Sequence, residues 1–235
     1  MGFFSKLFNK QQEPPAGFLQ GDIFYTRVNG QFHIYKVLKV DDEHQTYHLL
    51  VYQPVDKLPK TEDIKDMKVS VYHVPIDKSG FEGETVLLTN VEILHTDLVG
   101  YYEYLRQTGN NNELAKIANG HYKGAMRLTD LGQRKEAIEE YSRAIEIIPS
   151  FFEAIDNRAF CKMDLALYND AIDDFNLSLK VNPNSYLAVF SIGECMLRLK
   201  EFDKAKEQFE KAIAINPQQQ IGRDFLQKAI EHKLP

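Results

Sequence analysis

The chain has 235 residues, of which 43% are hydrophobic and 26% charged, and its formal net charge is −6. That length holds two ordinary domains with a core each, and the balance is that of a soluble globular protein. The negative charge and the lack of a basic block argue against a nucleic-acid surface, and no run approaches the roughly 20 apolar residues of a membrane span.

Residues 1–17 read as a flexible tail. The stretch from Met1 to Phe8 is too short, and too interrupted by Lys6, for a secretory signal. Lys6 also stands where a myristoylation pattern needs Ser or Thr. Phe3, Phe4, Leu7 and Phe8 would share a helical face that could touch a membrane surface or a partner groove. So short a helix is marginal alone, and a frayed end is the reading adopted. Gln11, Gln12, Pro14 and Pro15 continue as a spacer.

Residues 18–108 have a β pattern. Segments 22–28 and 31–40 flank Asn29-Gly30, a strong two-residue hairpin signal. In the second, alternation puts Phe32, Ile34, Leu38 and Val40 on one face, with His33, Tyr35 and Lys39 on the other. Asp41-Asp42-Glu43 turns the chain into a third strand, 45–53. A loop at 54–60 and a helical turn at 61–67 follow, then strands 68–74 and 84–88 with Ser79-Gly80 and Glu82-Gly83 as turns. Five short antiparallel strands predict a small bent sheet or a partly open barrel. A helix over 97–106 would turn Leu98, Tyr101, Tyr102 and Leu105 toward the core, and 108–112 is a polar break between domains.

Little in the chain carries reaction chemistry. Phosphate loops, zinc spacings and nucleophile elbows are missing, so no catalytic residue, cofactor or metal is assigned. Asp41-Asp42-Glu43 and Asp173-Asp174 read as solvated charge. His33, His48 and His73 lie on three predicted strands, and a bent sheet could bring two together. Zinc would still need a third ligand and groups to orient the rings. Tyr25, Tyr35, Tyr47, Tyr52 and Tyr72 suit the cover of a small core, with a binding patch as the alternative. Cys161 and Cys195, one repeat length apart, read as small buried side chains in a reducing, cytoplasmic setting.

The C-terminal half repeats. Pro149, Pro183 and Pro217 fall 34 residues apart, preceded at equal offsets by Ala137, Ala171 and Ala205, by Tyr141, Phe175 and Phe209, and by Ala144, Ser178 and Ala212. Ala125, Ala159 and Gly193 match one another, as do Leu131, Leu165 and Leu199. Small residues let paired helices approach, the aromatic fills the gap to the next repeat, and proline ends each second helix. Helical spacing of Ile138, Tyr141 and Ile145, then of Ile172, Phe175 and Leu179, gives each second helix an apolar face that only stacking can bury.

This pattern over about residues 113–235 resembles the tetratricopeptide repeat (TPR), a helix–turn–helix unit of that period. The expected fold class is α+β with two domains: a small antiparallel β-sheet or barrel at 18–108, then an all-α TPR solenoid. Its three repeats would span 118–151, 152–185 and 186–219, within 113–217. A capping helix over 218–233 would place Ile221, Phe225, Leu226, Ala229 and Ile230 on its inner side and Arg223, Lys228 and Glu231 outward.

The resemblance implies a groove lined by first helices. By position it would contain Tyr122, Lys123, Met126 and Asp130 from the first repeat, and Glu153, Asp156, Asn157, Phe160, Met163 and Asp164 from the second. The third would give Leu187, Phe190, Ser191, Glu194, Leu197 and Arg198. Acidic residues outnumber basic ones there, which favours an apolar partner segment carrying Lys or Arg. Co-chaperones of this family grip the C-terminal carboxylate of heat-shock chaperones with Lys, Asn and Arg. Here Asn157 matches, but the other slots hold Tyr122, Met126, Leu187 and Ser191, so the carboxylate clamp is not expected. The function expected is a non-enzymatic, cytoplasmic adaptor for another protein, with a homo-oligomer left open. The alternative is a small-molecule or metal-binding β domain that the repeats dock or dimerise.

Overall fold

A computed structural model describes residues 17–81 and 84–232. The apolar face of Phe3 to Phe8, most of the spacer, the Glu82-Gly83 turn and the last residue of the expected final helix lie outside the described residues. The chain divides into two compact units between Thr108 and Gly109.

The first unit is built on a five-stranded antiparallel sheet in the order β4-β3-β2-β1-β5. The strands are β1 Ile23–Val28, β2 Gln31–Asp41, β3 Thr46–Tyr52, β4 Val69–Asp77 and β5 Thr85–Leu88. Asn29 and Gly30 have φ of 51° and 86°, the pair of positive values that a tight hairpin between twisted strands requires. One 3-10 turn, Thr61–Asp66, buries Ile64, and another, His95–Leu98, leads into α1, Val99–Gln107.

The alternation expected for β2 breaks within the strand. Val37 pairs with Leu49, but the next pair is Lys39 with His48, so two residues of β2 oppose one step of β3. This bulge buries the consecutive Val37 and Leu38, and it moves Val40 onto the face of Phe24, Tyr35 and Tyr47. Ile34 stays on the opposite face, so the expected grouping of Ile34 with Val40 is corrected. Phe18 and Phe81 close the aromatic face, stacking on or edging against Phe24 at 3.9 and 4.9 Å.

Helix α1 covers the other face with Tyr101, Tyr102 and Leu105 buried. Gly100 makes the close approach possible, since a Cβ there would lie 2.8 Å from the Tyr72 carbonyl carbon and 2.9 Å from the His73 Cβ. Neither atom can step aside without moving β4. Gly100→Ala therefore lowers the stability of this unit by about 1–3 kcal/mol, offset in small part by better helix propensity. Urea melts of the full chain with hydrogen exchange read on the β4 amides check this; unchanged protection there would contradict it.

The second unit is helical throughout: α2 Asn111–Asp130, α3 Arg134–Ile147, α4 Phe152–Asp164, α5 Tyr168–Val181, α6 Tyr186–Arg198, α7 Phe202–Ile215 and α8 Gln220–Ile230. Each helix packs on the next. Ala137, Ala171 and Ala205 are fully buried at the close approaches, and Tyr141, Phe175 and Phe209 are at most 1% exposed between repeats. Pro149, Pro183 and Pro217 each fall just past a second helix, where a missing N–H breaks no helical bond. Cys161 and Cys195 are free and buried. Among the described residues no helix is long and apolar enough to cross a membrane.

Two local expectations are corrected. In α8 the buried stripe is Gly222, Phe225, Leu226 and Ala229, whereas Ile221 and Ile230 are 47% and 52% exposed. At 100° per residue both isoleucines lie about a quarter-turn from the stripe's centre, on opposite edges. Asp173 is solvated but Asp174 is not. Its carboxylate is buried and takes Arg158 through Nε at 2.9 Å and Nη2 at 2.7 Å, with Lys162 Nζ at 2.7 Å.

Candidate binding surface on the first helices

The first helices of the three helix pairs are α2, α4 and α6. Asn157 Nδ2 on α4 donates to the Tyr122 hydroxyl on α2 at 2.9 Å, and the Tyr122 ring lies 4.9 Å from that of Phe151. This fixes both side chains half-buried and ties the first two repeats together. Lys123, Met126 and Asp130 are exposed beside them. On α4, Glu153 is exposed, and Phe160 and Met163 are half-buried against the cluster around Ala159, Phe175 and Ile192. The Asp164 carboxylate accepts from Arg134 Nε. On α6, Leu187 and Arg198 are exposed and Glu194 is half-buried.

Four of the residues assigned by position are not on an accessible wall. Phe190 is 8% exposed, Ser191 1% and Leu197 fully buried. Phe190 packs on Phe209 and on Phe225 of α8 at 5.5 and 5.1 Å, and Leu197 belongs to the same apolar cluster. The last helix therefore fills space on α6 that a further repeat would fill in a longer array. Asp156 is also nearly covered, at 7%.

Burial raises the Asp156 carboxyl above its ordinary value, Glu153 adds to this, and the Ser178 hydroxyl pulls the other way. Burial likewise raises Glu194, against Arg198 and Lys228. A cation arriving beside either group would recover part of that desolvation cost.

In the first unit the sheet brings two of the three histidines together. His48 Nδ1 and His73 Nε2 are 2.8 Å apart, with the rings of Tyr101 and Tyr104 packed against both. His33 sits opposite Thr26 on β2, outside this pair. Among the described residues no group of three His, Cys, Asp or Glu is placed to hold a metal ion. Tyr35, Tyr47 and Tyr52 pack into the unit, Tyr25 edges against Phe32, and Tyr72 is 53% exposed. Sequence reasoning missed the tyrosines of α1 as partners of the histidines; their spacing at i and i+3 is the signal that could have found them.

Family models described as tetratricopeptide repeat match residues 122–151 and 186–219. No curated protein matches the chain, and no family model matches the β-rich region. Similar solved structures include the first TPR of Spaghetti (RPAP3) bound to an HSP90 peptide, at 21% identity and a TM-score of 0.48, covering 50% of this chain and 93% of that one. The Arabidopsis OM64 TPR domain is 17% identical with a TM-score of 0.48, over 51% and 98% of the two chains. The TPR2B domain of yeast Sti1, in complex with pHsp70, is 18% identical with a TM-score of 0.48, over 50% and 99%. With its 34-residue period, its helix pairs and the two matched repeats, the helical half of this chain is a tetratricopeptide-repeat array.

Proposed function

We propose that the repeat array is a non-catalytic, cytoplasmic scaffold that holds a segment of another protein against α2, α4 and α6. The observation that carries this is the chemistry left accessible on those helices. Met126 and Leu187 are 44% and 48% exposed, Tyr122, Phe160 and Met163 are half-buried, and of the acidic residues Glu153 is exposed and Glu194 half-buried. An apolar segment bearing Lys or Arg gains burial on the first set and charge complementarity with the second.

The same surface disfavours the acidic peptides that related folds hold. The peptide in the Spaghetti complex is SRMEEVD. Here an incoming carboxylate would meet the exposed Glu153, and the slots named for the clamp hold Tyr122, Met126, Asn157, Leu187 and Ser191, none of them a cation. A carboxylate desolvated without a cation costs several kcal/mol, so such ligands bind at least tenfold more weakly than basic-apolar ones.

Panning a random peptide library on the full chain tests this. Recovered peptides should combine Lys or Arg with aliphatic or aromatic residues. The double variant Met126→Asp, Leu187→Asp, at two exposed positions, should bind them at least about tenfold more weakly with its helical circular dichroism unchanged. Recovery of acidic peptides, or equal binding by the double variant, would remove the proposal.

A further inference from the structure

A cavity of about 260 Å³ opens on the Lys36 side of the first unit's sheet. Its floor includes Ile23 of β1 and Lys36 of β2, which are cross-strand partners, and Tyr52 of β3. Ile64 of the first 3-10 turn and Leu88 of β5 form apolar walls, and Asp97 closes one corner.

That corner is built from buried polar groups. Lys36 is 4% exposed, and its ammonium donates to Asp97 Oδ2 at 2.8 Å and to the Glu92 carbonyl at 2.5 Å. An ammonium has three N–H groups, so one is left on a side chain that lines the cavity. Asp97 Oδ2 also accepts from the Leu94 amide at 2.9 Å, so both of these bonds fall on one oxygen and Oδ1 is left over. The Tyr52 hydroxyl is the third member. Burial first, and the Asp97 charge second, push its pKa up to about 12, so it keeps its proton and can donate throughout the neutral range.

These two donors and one acceptor line a mostly apolar space, whose other polar lining residues, Thr61, Lys65 and Glu92, are exposed to water. A few polar groups in apolar walls is the usual composition of a small-molecule site. The Lys36 and Asp97 charges cancel, and the two other charged lining residues, Lys65 and Glu92, are opposite in sign and exposed, so a charged guest would bring an uncompensated charge out of water. A guest that only accepts would leave Asp97 Oδ1 without a donor.

We propose that this cavity binds a small neutral molecule with an apolar body and an amide- or lactam-type edge, its carbonyl accepting from Lys36 and Tyr52 and its N–H donating to Asp97. The cavity lies just below the usual range of ligand pockets, roughly 300–1,000 Å³, so the guest has on the order of ten non-hydrogen atoms. At that size Kd falls on the order of 0.1–1 mM.

The test is a methyl-resolved NMR titration of the full chain with benzamide, with benzoate, benzylamine and toluene in parallel. Saturable shifts at the Ile23, Ile64 and Leu88 methyls are expected with benzamide, and at least about tenfold weaker binding with the other three. Tyr52→Phe removes one donor without changing the wall and should weaken benzamide about five- to tenfold. Leu88→Trp, on a short edge strand, should fill the space and abolish the shifts. If no saturable shift appears up to about 10 mM, far above the expected Kd, there is no site. Toluene binding as well as benzamide, or unchanged affinity in both variants, also overturns the proposal.

Discussion

Replacing Asp174 by alanine lowers the stability of the repeat array by about 3–5 kcal/mol, while Asp173→Ala changes it by no more than about 0.5 kcal/mol. The two neighbours differ only in which way they point from α5. Asp173 is exposed, whereas the Asp174 side chain is 6% exposed and faces Arg158 and Lys162, themselves 16% and 17% exposed. Arg158 binds both carboxylate oxygens in a fork, and its Nη1 donates to the Ser142 hydroxyl at 2.9 Å. One carboxylate on α5 thereby organises cations on α4 and reaches α3 through them. Removing it strands two desolvated positive charges, which costs more than the pair contributes when intact. Urea unfolding followed by circular dichroism measures the difference. A variant carrying Asp174→Ala, Arg158→Met and Lys162→Met should recover most of the loss, because no unpaired charge then remains. Similar midpoints for Asp173→Ala and Asp174→Ala would show that the cluster does not act in this way.

That contrast marks how far the sequence could be read. The repeats were legible because their information is local and triplicated. Pro149, Pro183 and Pro217 end helices by their own covalent structure, and Ala137, Ala171 and Ala205 recur at a spacing that leaves one packing solution. Asn29-Gly30 was legible for the same reason, since few dipeptides accept two positive φ values. Asp174 was not, because its partners lie sixteen and twelve residues away and only the relative phase of α4 and α5 separates it from Asp173. The bulge at Val37–Lys39 has no signature in Val-Leu-Lys; it is fixed by pairing with β3. On the candidate surface, position in the repeat placed Met126 and Leu187 on accessible faces. It failed at Phe190 and Leu197, because a repeat followed by α8 is not in the same surroundings as one followed by another full repeat.

The first unit should lose about 2–3 kcal/mol of stability as the pH falls from about 6.5 to 4, and most of that loss should vanish in His73→Gln. Burial, with His48 beside it, lowers the pKa of His73 from 6.5 to about 4; burial also lowers His48. A histidine lowered in the folded state binds its proton more readily when unfolded. Its contribution is therefore complete above the unfolded value of 6.5 and is lost as the pH falls toward the folded value. The figure is below the full equivalent of the shift because His73 is only half-buried and keeps some contact with water. In the neutral pair one imidazole donates an N–H to the other across 2.8 Å, and protonating the accepting nitrogen would set two N–H groups facing each other. Asp41 is the nearby charge that favours a protonated His48, while Lys39 and His44 oppose it. From α1 the pair meets only the neutral rings of Tyr101 and Tyr104 among the contacts described. The two rings titrate as a coupled unit, so the readout is the loss of hydrogen-exchange protection in β3 and β4 rather than a single-site curve. If His73→Gln keeps the acid slope of the parent chain, the pair is not its origin.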